Sequence, residues 1–83
     1  MPRNGSTPET EKIGAVIREL RQSRELTVTA LAERIGRSQQ SVSDWERGHR
    51  SPSLLDLTRL ARGLRVSPAS LAKKILENLE DSV

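Results

Sequence analysis

Gly36 and Arg37 are all that separates two helical segments, and so short a joint leaves few folds open. The segment before it is capped by Thr27, turns Leu31 and Ile35 inward, and carries Ala30 and Ala32, small enough for a neighbouring helix to approach closely. Gly36 ends it and fits a left-handed C-terminal turn. The stretch GRSQQSVSDWERG, residues 36 to 48, supplies the next helix: Ser38 caps it and Gly48 stops it. Two helices joined by a turn this short must cross steeply. Ala32 lies four residues before Gly36, on the inner side of that corner, and Val42 lies six after it. A small residue, a glycine and an aliphatic residue at this spacing let the two axes come together.

Three more helices surround the pair. Thr7-Pro8-Glu9 combines a cap, a proline at the first helical position and an acid at the positive dipole end. Behind it Ile13, Val16, Ile17 and Leu20 repeat at i, i+3, i+4, i+7 and make one apolar face. Ser53 and Asp56 stand at capping-box spacing, followed by Leu54, Leu57, Leu60, Ala61 and Leu64 as an expected inner face. Ser67-Pro68 opens a last helix with Leu71 and Ile75 inward. No alternating strand pattern and no internal repeat appears. The expected fold is all-α, with five short helices around one aliphatic core and Trp45, the sole aromatic residue, within it. Residues 1–6 read as a flexible tail, 7–76 as the folded domain and 77–83 as an acidic helical extension.

Composition narrows the function. With 83 residues there is room for one small domain and none for a separate small-molecule sensing domain, so no such ligand is expected. The chain has no cysteine, and its one histidine, His49, has no metal-ligand companions. No acid pair is spaced for acid–base work and no glycine-rich phosphate loop occurs. We therefore expect no enzyme, cofactor or metal. The N-terminal segment has no apolar run of a signal peptide, and no stretch suits a membrane span, which points to a cytoplasmic protein with no membrane partner. Net charge is +3, but the last seven residues, ENLEDSV, hold three acids and no base, so residues 1–76 carry +6. Eleven of the 14 basic side chains are arginine. A basic body of this kind suits a polyanionic partner.

The stretches IRELRQSRELT, LAERIGRSQQSVSDWERG and SPSLLDLTRLARGLRVSPASL, from about Ile13 to about Leu71, together resemble the Cro/CI-type, or XRE, helix-turn-helix regulators. The resemblance implies a lambda-repressor-like domain with its helix-turn-helix at the second and third helices. It also implies that the third helix, 38–47, enters the major groove of double-stranded DNA as a recognition helix. The SQQS at that helix's start is similar to the same position in some lambdoid phage repressors. Side-chain chemistry agrees: a glutamine amide holds a donor and an acceptor in one plane and can bond both N7 and N6 of adenine. Gln39 and Gln40 are the expected base readers, with Ser43 one turn on. Asp44 can accept from cytosine N4 or pair with Arg47 three residues along, and the pairing or a solvated role is the favoured reading.

Phosphate contacts are expected from Arg37 and Arg47 at the helix ends, from Arg50 in the loop, and from the helix starts at Thr27, Thr29, Ser38 and Ser53. Relatives commonly place a phosphate-clamping glutamine where this chain has Val28, and a glycine where it has Glu25. The resemblance further implies a structural pair between Arg21 and Glu46, with Gly36, Val42, Trp45 and Gly48 holding the motif together. On the last helix Ala72, Leu76, Leu79 and Val83 make a second stripe beyond what the core needs, so a homodimer through Leu76 and Leu79 is expected, on paired half-sites, the alternative being a longer final helix that folds back on its own domain. With no effector domain, the expected action is repression by occluding DNA. An interaction module of the same fold, such as an antitoxin binding a partner protein, is the alternative. The polar third helix favours DNA.

Overall fold

A computed structural model describes residues 6–80. It contains α1 (Pro8–Ser23), α2 (Val28–Ile35), α3 (Gln39–Arg47), α4 (Leu54–Gly63) and α5 (Pro68–Glu80), with no strand among the described residues. All five helices start the same way. The side-chain oxygens of Thr7, Thr27, Ser38, Ser53 and Ser67 accept from the backbone N–H three residues on, at 3.0–3.1 Å. At α1 the box is reciprocal, since Thr10 accepts the Thr7 N–H at 2.8 Å.

The corner between α2 and α3 closes on Gly36 at φ 70°, in the left-handed region. Arg37 N–H reaches back to the Ala32 carbonyl at 3.1 Å, so the end of α2 is satisfied without lengthening the turn. α1 lies against α3 and α5, while α4 covers the other side of α2. The shared core is Ile17, Leu20, Leu31, Ala32, Ile35, Val42, Trp45, Leu60, Ala61, Leu64, Leu71 and Ile75. Trp45 is 1% exposed and fills its centre. α1 and α3 approach so closely that a Cβ on Gly14 would lie 2.3 Å from the Trp45 carbonyl oxygen.

Two apolar expectations change. Leu54 is not on the inner face of α4: as the first helical residue it is 81% exposed, and Asp56 is the residue of that turn that is buried. Leu79 is half-buried against its own core, so it is not surplus to the domain; Leu76 is exposed. α5 runs unbroken from Pro68 to Glu80, and Asn78 donates to the Lys12 carbonyl at 3.0 Å, which ties its C-terminal half to α1. Residues 1–5 of the expected tail, and Val83 of the stripe, lie outside the described residues.

Candidate nucleic-acid interface

Three charged anchors set the angle of α3. Glu46 is 6% exposed. Arg21 grips it with a fork, Nε to Oε2 at 2.6 Å and an Nη to Oε1 at 3.0 Å, and gives its remaining Nη to the Leu26 carbonyl at 2.7 Å. Arg18 adds a longer contact to the Glu46 carbonyl at 3.4 Å. At the other end of α3, Arg37 pairs with Asp56, donates to Ser41 Oγ at 3.3 Å and lies 5.3 Å above the Trp45 ring. Burial would raise the Asp56 carboxyl, but hydrogen bonds from Arg37 and Ser53 and the charges of Arg37 and Arg59 outweigh it and hold the group below the usual carboxylate range. The helix is therefore pinned to α1 and α4 from both ends.

The outer side of α3 is polar. Gln39 and Gln40 are exposed, and Ser43 and Asp44 are half-buried below them. Gln40 Nε2 donates to Asp44 Oδ1 at 2.8 Å, a partnership one helical turn apart. This corrects the expected pairing of Asp44 with Arg47. The Asp44 carboxylate instead faces Gln40, His49 at 3.8 Å and Arg50 at 4.0 Å, because the left-handed turn at Gly48 (φ 78°) folds the following loop back over it. The Asp44 carbonyl also accepts the His49 N–H at 2.9 Å. Arg47 is exposed and has no ion-pair partner among the described residues.

The remaining positions divide by what their polar atoms already do. Arg37 is occupied inside the fold, so its guanidinium is not a free surface cation. Ser38 and Ser53 each accept a backbone N–H and donate their proton, to Ser41 Oγ at 3.0 Å and Asp56 Oδ2 at 3.1 Å. Any anion at these two helix starts must therefore meet backbone N–H groups. Thr27 accepts from the Ala30 N–H at 3.0 Å and keeps its hydroxyl proton, and Thr29 beside it is exposed. Arg47 and Arg50 lie exposed at the far end of α3. Glu25 takes φ 56°, the left-handed conformation that suits a glycine.

Sequence reasoning missed the Arg37–Asp56 anchor and the role of Gly14. Asp56 had a sufficient local explanation as a cap-box residue, and nothing in spacing joins positions 19 residues apart. Gly14 sits in a helix where its only visible signal was an unexplained small residue. Among the described residues no group of His, Cys, Asp and Glu is arranged to hold a metal ion, and no helix is long and apolar enough to cross a membrane.

Comparison with known proteins agrees with this geometry. A family model described as helix-turn-helix matches residues 17–71. An uncharacterized HTH-type transcriptional regulator of Sinorhizobium fredii is 39% identical over 59 residues, covering 71% of this chain and 77% of that protein. An uncharacterized HTH-type transcriptional regulator of Mycobacterium tuberculosis is 42% identical over 71 residues, 83% of this chain. The chain spans about half (51%) of the length of that mycobacterial relative. The restriction-modification controller protein C.AhdI of Aeromonas hydrophila superposes with a TM-score of 0.75 at 34% identity, over 78% of this chain and 98% of its own. The clp gene regulator ClgR of Corynebacterium glutamicum does so with a TM-score of 0.76 at 26% identity, over 87% of this chain and 94% of its own. The match of the family model over most of the chain, the identity to the rhizobial protein and the pinned α2–α3 corner lead to one conclusion: the chain belongs to the XRE-type helix-turn-helix family.

Proposed function

We propose that this chain is a sequence-specific double-stranded DNA-binding regulator that lays α3 in the major groove and reads base edges through Gln39 and Gln40. The observation that carries this reading is the Gln40–Asp44 hydrogen bond at 2.8 Å on the exposed side of a helix anchored at both ends. Asp44 takes one amide N–H of Gln40. One N–H and the carbonyl oxygen remain, the pair that adenine N7 and N6 require. Asp44 then acts by orienting a base reader, and its own charge is partly offset by Arg50. Arg47, Arg50, Thr27, Thr29 and the N–H groups after Ser38 and Ser53 are placed to take phosphates around that contact.

The acting form is a homodimer on an inverted repeat, repressing by occupancy in the cytoplasm. Leu54, Leu55 and Leu76 support the dimer, being 81%, 59% and 57% exposed, which is apolar surface that a second copy would cover. The structure of the controller protein C.Esp1396I, a tetramer on its natural 35-base-pair operator, shares this fold at a TM-score of 0.78 and 22% identity, over 88% of this chain and 96% of its own.

Selection from a random duplex pool at near-physiological salt tests the reading. We expect an inverted repeat with adenine-containing half-sites, and loss of the preference at those positions in Gln39→Ala and Gln40→Ala. Recovery of DNA with no enriched sequence would overturn it. Leu76→Glu should shift the sedimenting mass toward that of a single chain; an unchanged mass would count against the dimer.

A further inference from the structure

On the side of α4 that faces α2 lies a cleft of about 410 Å³, lined by Arg34, Ile35, Arg59, Arg62, Gly63 and Arg65. Four arginines thus line one concave surface, separate from the outer side of α3. We propose that this cleft binds phosphate groups. Four cations lining one cleft repel one another, and an anion among them relieves that repulsion. The protein supplies little of that anion. Arg34 spends one Nη on the Gly63 carbonyl at 3.1 Å, a neutral acceptor. Arg59 reaches Asp56 at 3.6 Å, but that carboxylate is already held by Arg37 and Ser53. The guanidinium groups of Arg62 and Arg65 have no hydrogen-bond or ion-pair partner among the described residues.

Arg65 adds an independent observation. It occupies φ 61° just past the end of α4, where a left-handed turn favours glycine, yet the chain places a long cation there, and it lines the cleft. Arginine's planar fork is suited to phosphate oxygens, and the four arginines come from α2, α4 and the turn after α4, so a polyphosphate or a stretch of sugar-phosphate backbone could meet more than one of them. The Arg37–Asp56–Arg59 chain links this cleft to the α2–α3 corner, so a phosphate ligand would sit one ion-pair relay away from the anchored end of α3.

Two sources supply that chemistry: a free polyphosphate compound, or DNA backbone beyond the segment read by α3. The second source rests on the DNA-binding reading above, and the first does not. The test uses the DNA-free chain titrated with inorganic tripolyphosphate, following the arginine Nε–H resonances. Saturable shifts at Arg34, Arg59, Arg62 and Arg65, with affinity falling about tenfold or more in R62Q/R65Q, are expected for a free ligand. A K73Q/K74Q variant, which removes the same charge from α5, should leave the affinity unchanged. For DNA, the slope of log affinity against log salt on a duplex longer than the selected site should fall by about two in R62Q/R65Q, and stay unchanged on a minimal duplex. Either result supports the cleft and names its source. Shifts spread over all surface arginines together with an unchanged salt slope would overturn it, whether or not the chain binds DNA.

Discussion

Replacing Glu46 by alanine should unsettle the recognition helix without removing any group that faces DNA. Glu46 is buried and receives two short hydrogen bonds from Arg21, whose side chain is itself only 13% exposed. Breaking one side of a buried pair costs about 3–5 kcal/mol because the survivor is left unpaired. Arg21 keeps its bond to the Leu26 carbonyl at 2.7 Å and touches some solvent, which places the expected loss at or just below the bottom of that range, roughly 2–3 kcal/mol. For a domain this small that corresponds to a Tm drop of roughly 10–20 °C. Thermal unfolding followed by circular dichroism measures it. DNA affinity should fall while base preference stays the same, since Gln39 and Gln40 are untouched. A double replacement, R21M/E46L, should recover most of the lost stability, because two apolar side chains leave no unpaired charge. A Glu46→Ala protein melting within about 3 °C of the parent would refute the reasoning.

The other tests are independent of that pair. Asp56 has a carboxyl pKa lowered in the fold, so its contribution is present above the unfolded-state value near 3.9 and is lost as pH falls through the folded value; Asp56→Asn should lower stability at neutral pH and flatten the acid limb of the stability curve, measured by urea unfolding from about pH 2 to 6. Glu25→Gly should raise stability by about 0.5–1 kcal/mol by relieving the left-handed backbone at φ 56°, and a loss in the same urea assay would contradict that account. Gly14→Ala should cost about 2–3 kcal/mol despite alanine's better helix propensity, because a Cβ 2.3 Å from the Trp45 carbonyl forces α1 and α3 apart; a melting temperature at or above the parent's would show that the two helices yield more easily than their contact implies.

Much of the architecture was legible because it is local. A cap hydroxyl, a proline at the first turn and a glycine at the end are read within a few residues, and all five helix starts carry the cap hydroxyl, Thr7 to Ser67. The apolar period located Ile17, Leu31, Val42, Leu60 and Leu71 in the core. The same period misplaced Leu54, since a repeat continues to the end of a helix whether or not a neighbour is there to cover it. It also set Leu79 aside as surplus, because periodicity cannot tell which side of α5 will find α1.

The candidate site divides along the same line. That residues 38–47 form a helix with two glutamines at its exposed start follows from the chain alone, because capping and amphipathicity are properties of neighbours in sequence. Which carboxylate meets which arginine does not. Arg37 was as free as Arg47 on paper; tertiary contact gave the first to Asp56 and left the second exposed. Asp44 took Gln40 one turn back on its own helix, and the loop that folds back after Gly48 brought His49 and Arg50 to it in place of Arg47. The four arginines around the α2–α4 cleft come from positions 34 to 65 and share no motif. Hydrogen bonds and charge pairs are satisfied across space, by whichever groups the helix crossings bring within about 3 Å, so the chain alone determined the helices and their inner faces, and only their crossing decided the partners.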